Sequence, residues 1–176
     1  MIQRIAIVAV ITASLLLSAC SARVPPDEVT SSSLVVELTQ AELVAHADWI
    51  VVGTVTGKES LWSADRGNIY TLVTVSVEEW VKGGPGENEI VITTPGGQVG
   101  ETTEVVEDAA GFQEGERVLV YLQLNDDGTA SVVGGWQGQF VVTKNGKVAR
   151  GELSLSNLSL ADVISQIKAE IGKQSK

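Results

Sequence analysis

Trp49-Ile50-Val51-Val52-Gly53-Thr54-Val55 and, after a polar interval, Ile69-Tyr70-Thr71-Leu72-Val73-Thr74-Val75-Ser76-Val77 are the residues that decide the fold. Successive side chains of an extended chain point to opposite sides, so Val73, Val75 and Val77 share one face. β-Branched residues dominate both stretches, and their stiff side chains suit a pleated surface better than a helix. Strands are therefore expected over residues 50–55 and 69–81.

The same reading extends outward. Lys82-Gly83-Gly84-Pro85-Gly86 is a turn, and residues 89–94 form a further strand. Pro95-Gly96-Gly97 opens a long polar segment that runs to about Phe112, with a tight glycine turn where a strand leaves the sheet. Residues 117–124 are apolar on both faces, as a buried central strand requires. Asn125-Asp126-Asp127-Gly128 turns the chain into residues 130–133, and Asn145-Gly146 joins residues 139–143 to 147–150 as a hairpin.

Helices bracket these strands. Thr39-Gln40-Ala41-Glu42 is a capping box that opens a short helix through about Ala47, with Leu43, Val44 and Ala47 on one side and Asp48 stopping it. Ser159 and Asp162 cap a second helix over residues 160–171, whose stripe is Leu160, Val163, Ile164, Ile167 and Ile171 and whose end is Gly172. About seven short strands with a helix at each end predict a mainly β fold, a small antiparallel barrel.

The first residues carry a different signal. Arg4 precedes an uncharged apolar stretch from Ile5 to Leu17, and Leu17-Ser18-Ala19-Cys20 follows. This is a lipoprotein signal peptide over residues 1–19, with Cys20 as the lipidated first residue of the mature chain. About thirteen apolar residues are too few to span a bilayer, where roughly 20 are needed. Cys20 is the one cysteine in the sequence, so no internal disulfide forms and stability rests on a hydrophobic core. Two or three acyl chains anchor stably where one binds reversibly. Ser21 at the second mature position favours the outer membrane in a two-membrane cell, by resemblance to known sorting rules; in a one-membrane cell the site is the outer face.

Residues 20–33 combine Pro25-Pro26, acids and the serine run Ser31-Ser32-Ser33 without apolar periodicity, which describes a flexible tether. At about 3.3 Å per residue it reaches up to roughly 40 Å from the lipid. Residues 34–176 are then one barrel domain. The leader takes Arg4 with it, leaving 11 basic residues against 22 acids. That charge repels phosphate backbones, and no basic cluster interrupts it, which excludes nucleic acid as an expected partner.

Few residues suggest chemistry. His46 is the one histidine, so no histidine-based metal cluster is available, and beside Asp48 it reads as a surface or half-packed side chain. Pro95-Gly96-Gly97-Gln98-Val99-Gly100 lacks the Gly-Lys-Ser/Thr ending of a phosphate loop, and Glu101, Glu104, Glu107 and Asp108 surround it with repelling charge. Those four carboxylates are at most a weak cation site, and Asn125 to Gly128 lacks the alternating oxygens and closing glutamate of a calcium loop. No metal or cofactor is expected. Trp62 stands in the polar stretch Ser60-Leu61-Trp62-Ser63-Ala64-Asp65-Arg66-Gly67-Asn68, and Trp136 stands between Gly135 and Gln137-Gly138. Exposed aromatics and arginines are enriched at interfaces, making Trp62, Arg66 and Trp136 the candidate binding residues; the other role for Trp62 is to fold back and plug one end of the barrel.

Between Leu38 and Val142 the order of these signals resembles a family of small exported prokaryotic proteins with an OB-fold-like barrel. The matching residues include Leu38-Thr39, Glu42-Leu43, Ala47-Asp48, the segment from Ile50 to Val55, Trp62, Ile69-Tyr70-Thr71, Val81-Lys82-Gly83, Pro95-Gly96-Gly97, Phe112, Gly115-Glu116-Arg117-Val118, Gly134 and Gln137-Gly138. The resemblance implies a fold and a location but no reaction. The barrel is also distantly similar to the N-terminal domain of tissue inhibitors of metalloproteinases, whose first strand Ala47-Asp48 to Gly53 echoes. Those inhibitors chelate zinc through a free N-terminal cysteine amine. An acylated Cys20 closes that route.

The expected function is a membrane-anchored, non-enzymatic binding module for an envelope protein or glycan. An envelope structural or assembly component is the alternative, and a hydrolase using His46, Asp48 or the acidic segment is a further one.

Overall fold

A computed structural model describes residues 37–150 and 158–174. The expected signal peptide, Cys20 and the expected tether lie outside the described residues. None of the helices among the described residues is long and apolar enough to cross a membrane.

Helix α1 (Gln40–His46) begins as its sequence dictates: the Thr39 hydroxyl accepts from the Glu42 amide, and the Glu42 carboxylate accepts from the Thr39 amide at 2.8 Å. Leu43 and Val44 are buried on its inner side. Its far end is closed from outside, where the Lys82 ammonium donates to the carbonyls of Val44 and Ala47 at 2.7 and 2.6 Å. A cation suits the negative end of the helix and satisfies two carbonyls that the helix itself leaves open.

The chain then runs β1 (Trp49–Trp62), β2 (Ile69–Lys82), β3 (Glu89–Pro95), β4 (Gly97–Val99), β5 (Thr102–Glu104), β6 (Arg117–Leu124), β7 (Ala130–Val132), a 3-10 turn over Gly135–Gly138, β8 (Gln139–Val142), β9 (Val148–Ala149) and α2 (Leu160–Gln174). Neighbours in the main sheet follow the order β1-β2-β3-β7-β6, and β6 pairs back onto β1, closing a five-stranded barrel. Every pairing is antiparallel except that of β3 with β7, which is parallel. This mainly β, OB-fold-like barrel with a helix near each end matches the sequence pattern, apart from that one parallel closure.

β6 explains why its sequence is apolar throughout. Its Val118, Val120 and Leu122 point into the barrel with Val51, Val55, Val73, Val75 and Ile92. Its Leu119 and Tyr121 point outward, under a second layer formed with Ile50, Val52, Phe140 and the buried residues of α1 and α2. A strand covered on both faces has no wet side, so alternation disappears. Phe112 is buried with these interior residues, whereas Trp62 is exposed and does not fold back into the barrel.

Three expectations are corrected. The segment from Pro95 to Phe112 contains the hairpin β4–β5, whose strands are too short and polar to show a period. β1 runs on to Trp62, well beyond the expected end at Val55, whereas β2 keeps its expected bounds to within one residue. Residues 57–62 of β1 keep β2 as neighbour but lose β6, so this half is a sheet edge whose faces are mostly wet and whose polar residues imitate a loop. Helix α2 continues through Gly172 to Gln174; Gly172 keeps helical geometry, and a glycine is tolerated there at about 1 kcal/mol relative to alanine.

Gly97 and Gly53 are among the glycines that close approach requires. A Cβ on Gly97 would sit against the hydroxyls of Ser60 and Thr71, and its φ of 139° excludes other residues. A Cβ on Gly53 would lie 2.5 Å from the Ser76 carbonyl oxygen on β2. Gly53→Ala is therefore expected to force β1 and β2 apart and lower stability by about 1–3 kcal/mol, read as a lower urea midpoint with an unchanged slope. A midpoint within error of wild type would refute this account of Gly53.

Candidate functional site

Trp62 is the last residue of β1, paired with Ile69 across the hairpin, and is 36% exposed. The loop beyond it is internally braced. The Ser63 amide donates to the Asn68 carbonyl, the Ser63 hydroxyl donates to Asp65, and Asp65 also accepts from the Gly67 amide. These bonds hold the Asp65 carboxyl below its usual range, the Ser63 hydroxyl first and the Gly67 amide second. Arg66 takes the left-handed conformation, φ 57°, at the turn and is exposed.

The Glu104 carboxylate accepts from the amide of Ile69, the partner of Trp62. That bond carries Val105 and Val106, next in the chain, towards the same end of the hairpin. Val105 is 82% exposed and Val106 is also exposed. A cleft of about 230 Å³ lined by Lys58, Thr71, Gly97, Val105, Val106 and Phe112 opens beside them. Trp62, Val105 and Val106 are thus large apolar side chains left exposed on a strongly acidic protein.

Trp136 belongs to a different place. It lies half-buried on the 3-10 turn, whereas Trp62 and Arg66 lie at the β1–β2 hairpin end. The Arg150 guanidinium stands over it at 5.7 Å and over the Phe140 ring at 4.6 Å. Arg150 is 8% exposed, and its Nε has no hydrogen-bond partner. Burial presses its pKa down, against the charge of Glu37 and the neighbouring Tyr121.

Arg150 lines a cavity of about 280 Å³ between α1, the outward layer of the barrel and α2. Leu43, Tyr121, Phe140, Val148 and Val163 supply most of its apolar wall. Burial pushes the Tyr121 phenol up to about 12, opposed by a hydrogen bond from Gln40 and by the charge of Arg150. Arg150, Tyr121 and Gln40 were not legible as site residues: a lone arginine after a short strand carries no sign that a helix distant in sequence will cover it.

The remaining motifs have structural employment. Asp48 accepts from the Leu124 amide at 2.9 Å, while His46 is exposed. Asp127 accepts from the amide and hydroxyl of Thr129 and so closes the β6–β7 turn. Gln137 accepts from the Leu38 amide at 2.7 Å, tying the start of the domain to the 3-10 turn. Among the described residues no group of three or more histidine, cysteine, aspartate or glutamate side chains is placed to hold a metal ion. No protein-family model matches the chain, and no curated protein matches it.

Proposed function

We propose that this chain is an exported lipoprotein, held on a membrane by acyl groups on Cys20, whose barrel is a non-enzymatic binding module for an envelope protein. The observation that carries the binding role is the exposure of the large apolar side chains Trp62, Val105 and Val106. Tryptophan supplies large contact area with little side-chain entropy to lose, and Arg66 at the adjacent turn adds in-plane donors. The exposed valines favour a protein surface over a glycan, whose hydroxyls need polar partners. The lipobox and the proline- and serine-rich tether support a module that works above the bilayer.

The test is capture from envelope extract by the full chain. Trp62→Ala is expected to weaken capture about 30-fold, the effect of losing roughly 2 kcal/mol at an interface hot spot. Cys20→Ala is expected to leave capture intact and move the protein from the membrane fraction to the soluble one. Capture that is indifferent to Trp62→Ala and to Val105→Asp would sink the proposed surface, and Cys20→Ala protein that stays on the membrane would sink the anchor. A captured glycan in place of a protein would correct the partner.

A further inference from the structure

We propose that the cavity between α1, α2 and the outward layer of the barrel is a binding site for a monocarboxylate on a small apolar body, with Arg150 as the anion-binding residue. This goes beyond the membrane-anchored reading and makes no use of the Trp62 surface. The guanidinium is buried at a wall where Leu43, Phe140, Val148 and Val163 stand beside the polar Glu37, Gln40 and Tyr121, and its Nε–H has no hydrogen-bond partner. A buried donor without a partner costs about 1–3 kcal/mol, more when charged, so a site that keeps one is built for an acceptor supplied from outside.

The stacking narrows which acceptor fits. A guanidinium over the rings of Phe140 and Trp136 keeps its N–H donors in its own plane, away from those rings. A carboxylate accepts from Nε and one Nη in that plane as a two-pronged pair. Among the described residues no carboxylate forms an ion pair with Arg150. Glu37 also lines the cavity, and its charge disfavours a doubly charged phosphate more than a singly charged carboxylate. The volume of about 280 Å³ lies at the lower end of ligand pockets, which suits a short alkyl or single-ring body against Leu43, Tyr121, Phe140 and Val163. The shared chemistry has two sources, a free acid or the C-terminal carboxylate of a peptide ending in an apolar residue.

The experiment is calorimetric titration of the full chain in dodecyl maltoside with hexanoate and 3-phenylpropionate against their neutral amides. A parallel arm uses the tripeptide Ala-Ala-Phe with a free and with an amidated C-terminus. Acids are expected to bind about 10- to 100-fold more tightly than amides, the difference that a charge-assisted pair supplies, and Arg150→Met is expected to abolish that preference. Binding confined to the small acids identifies a free acid as the source; binding of the free-ended tripeptide alone identifies a peptide terminus. Where Arg150→Met does not fold, the Nε–H resonance of Arg150 in the wild-type chain replaces it, with a downfield shift expected on adding acid and none on adding amide. Equal binding of acid and amide, binding of neither acid nor peptide, or an unmoved Nε–H resonance would overturn the proposal.

Discussion

Leu119→Ala is expected to lower the free energy of unfolding by about 3–5 kcal/mol, the largest loss from any single truncation considered. Leu119 is 0% exposed and sits where three elements meet, opposite Val52 of β1 on one edge of β6 and opposite Phe140 of β8 on the other. Removing its branched end leaves a void under both helices, and neither side of a closed barrel can collapse to fill it. A domain of this size has about 5–15 kcal/mol in total, so the variant should unfold at far lower urea, followed by tryptophan fluorescence. Leu119→Ile, which keeps the volume, is expected to lose under about 1.5 kcal/mol. A loss below about 1 kcal/mol for the alanine variant would show that the outward layer is not packed as described.

The second large effect is alkaline. The Tyr121 phenol is pushed up to about 12 by burial, whereas an unfolded tyrosine ionises near 10. Below pH 10 both states hold the proton, and the stability from keeping Tyr121 neutral is fully present. Between about pH 10 and 12 the unfolded state loses its proton while the folded state keeps it. Unfolding is then favoured by roughly 1.4 kcal/mol per pH unit, about 2–3 kcal/mol across the window. Tyr121→Phe removes this dependence and leaves every other titrating group in place. The check is the unfolding free energy of both proteins at pH 9 and near pH 11.5: the wild-type protein should lose about 2 kcal/mol more than the variant. Equal losses would mean that the phenol is not held neutral by its surroundings.

Legibility followed how local each cause was. The α1 capping box, the α2 cap of Ser159 and Asp162, the Asn145-Gly146 turn and the apolar run of β6 each rest on neighbours within a few residues, and all four read correctly. The outer half of β1 did not. Lys58, Glu59 and Ser60 are strand residues because β2 hydrogen-bonds to them, and no pattern in their own side chains announces it. Trp62 stood open between exposure and plugging the barrel, and the structure leaves it exposed; the course of the chain into Val105 and Val106 is fixed by a bond from the Ile69 amide to Glu104, 35 positions away in sequence.

Taken alone, the sequence determined the strands with a buried face, the two helices and their caps, the mainly β class, the acidic charge and the expectation of a lipid on Cys20. These follow from side-chain period, capping chemistry and composition, which act over a few residues. Tertiary structure alone decided that the barrel closes through a parallel pairing of β3 with β7, that Phe112 fills its interior, and that Arg150 is buried beside Tyr121 with an unpartnered donor. Those outcomes depend on which distant segments exclude water together, and burial is a property of the assembled surface that no single residue or short window carries.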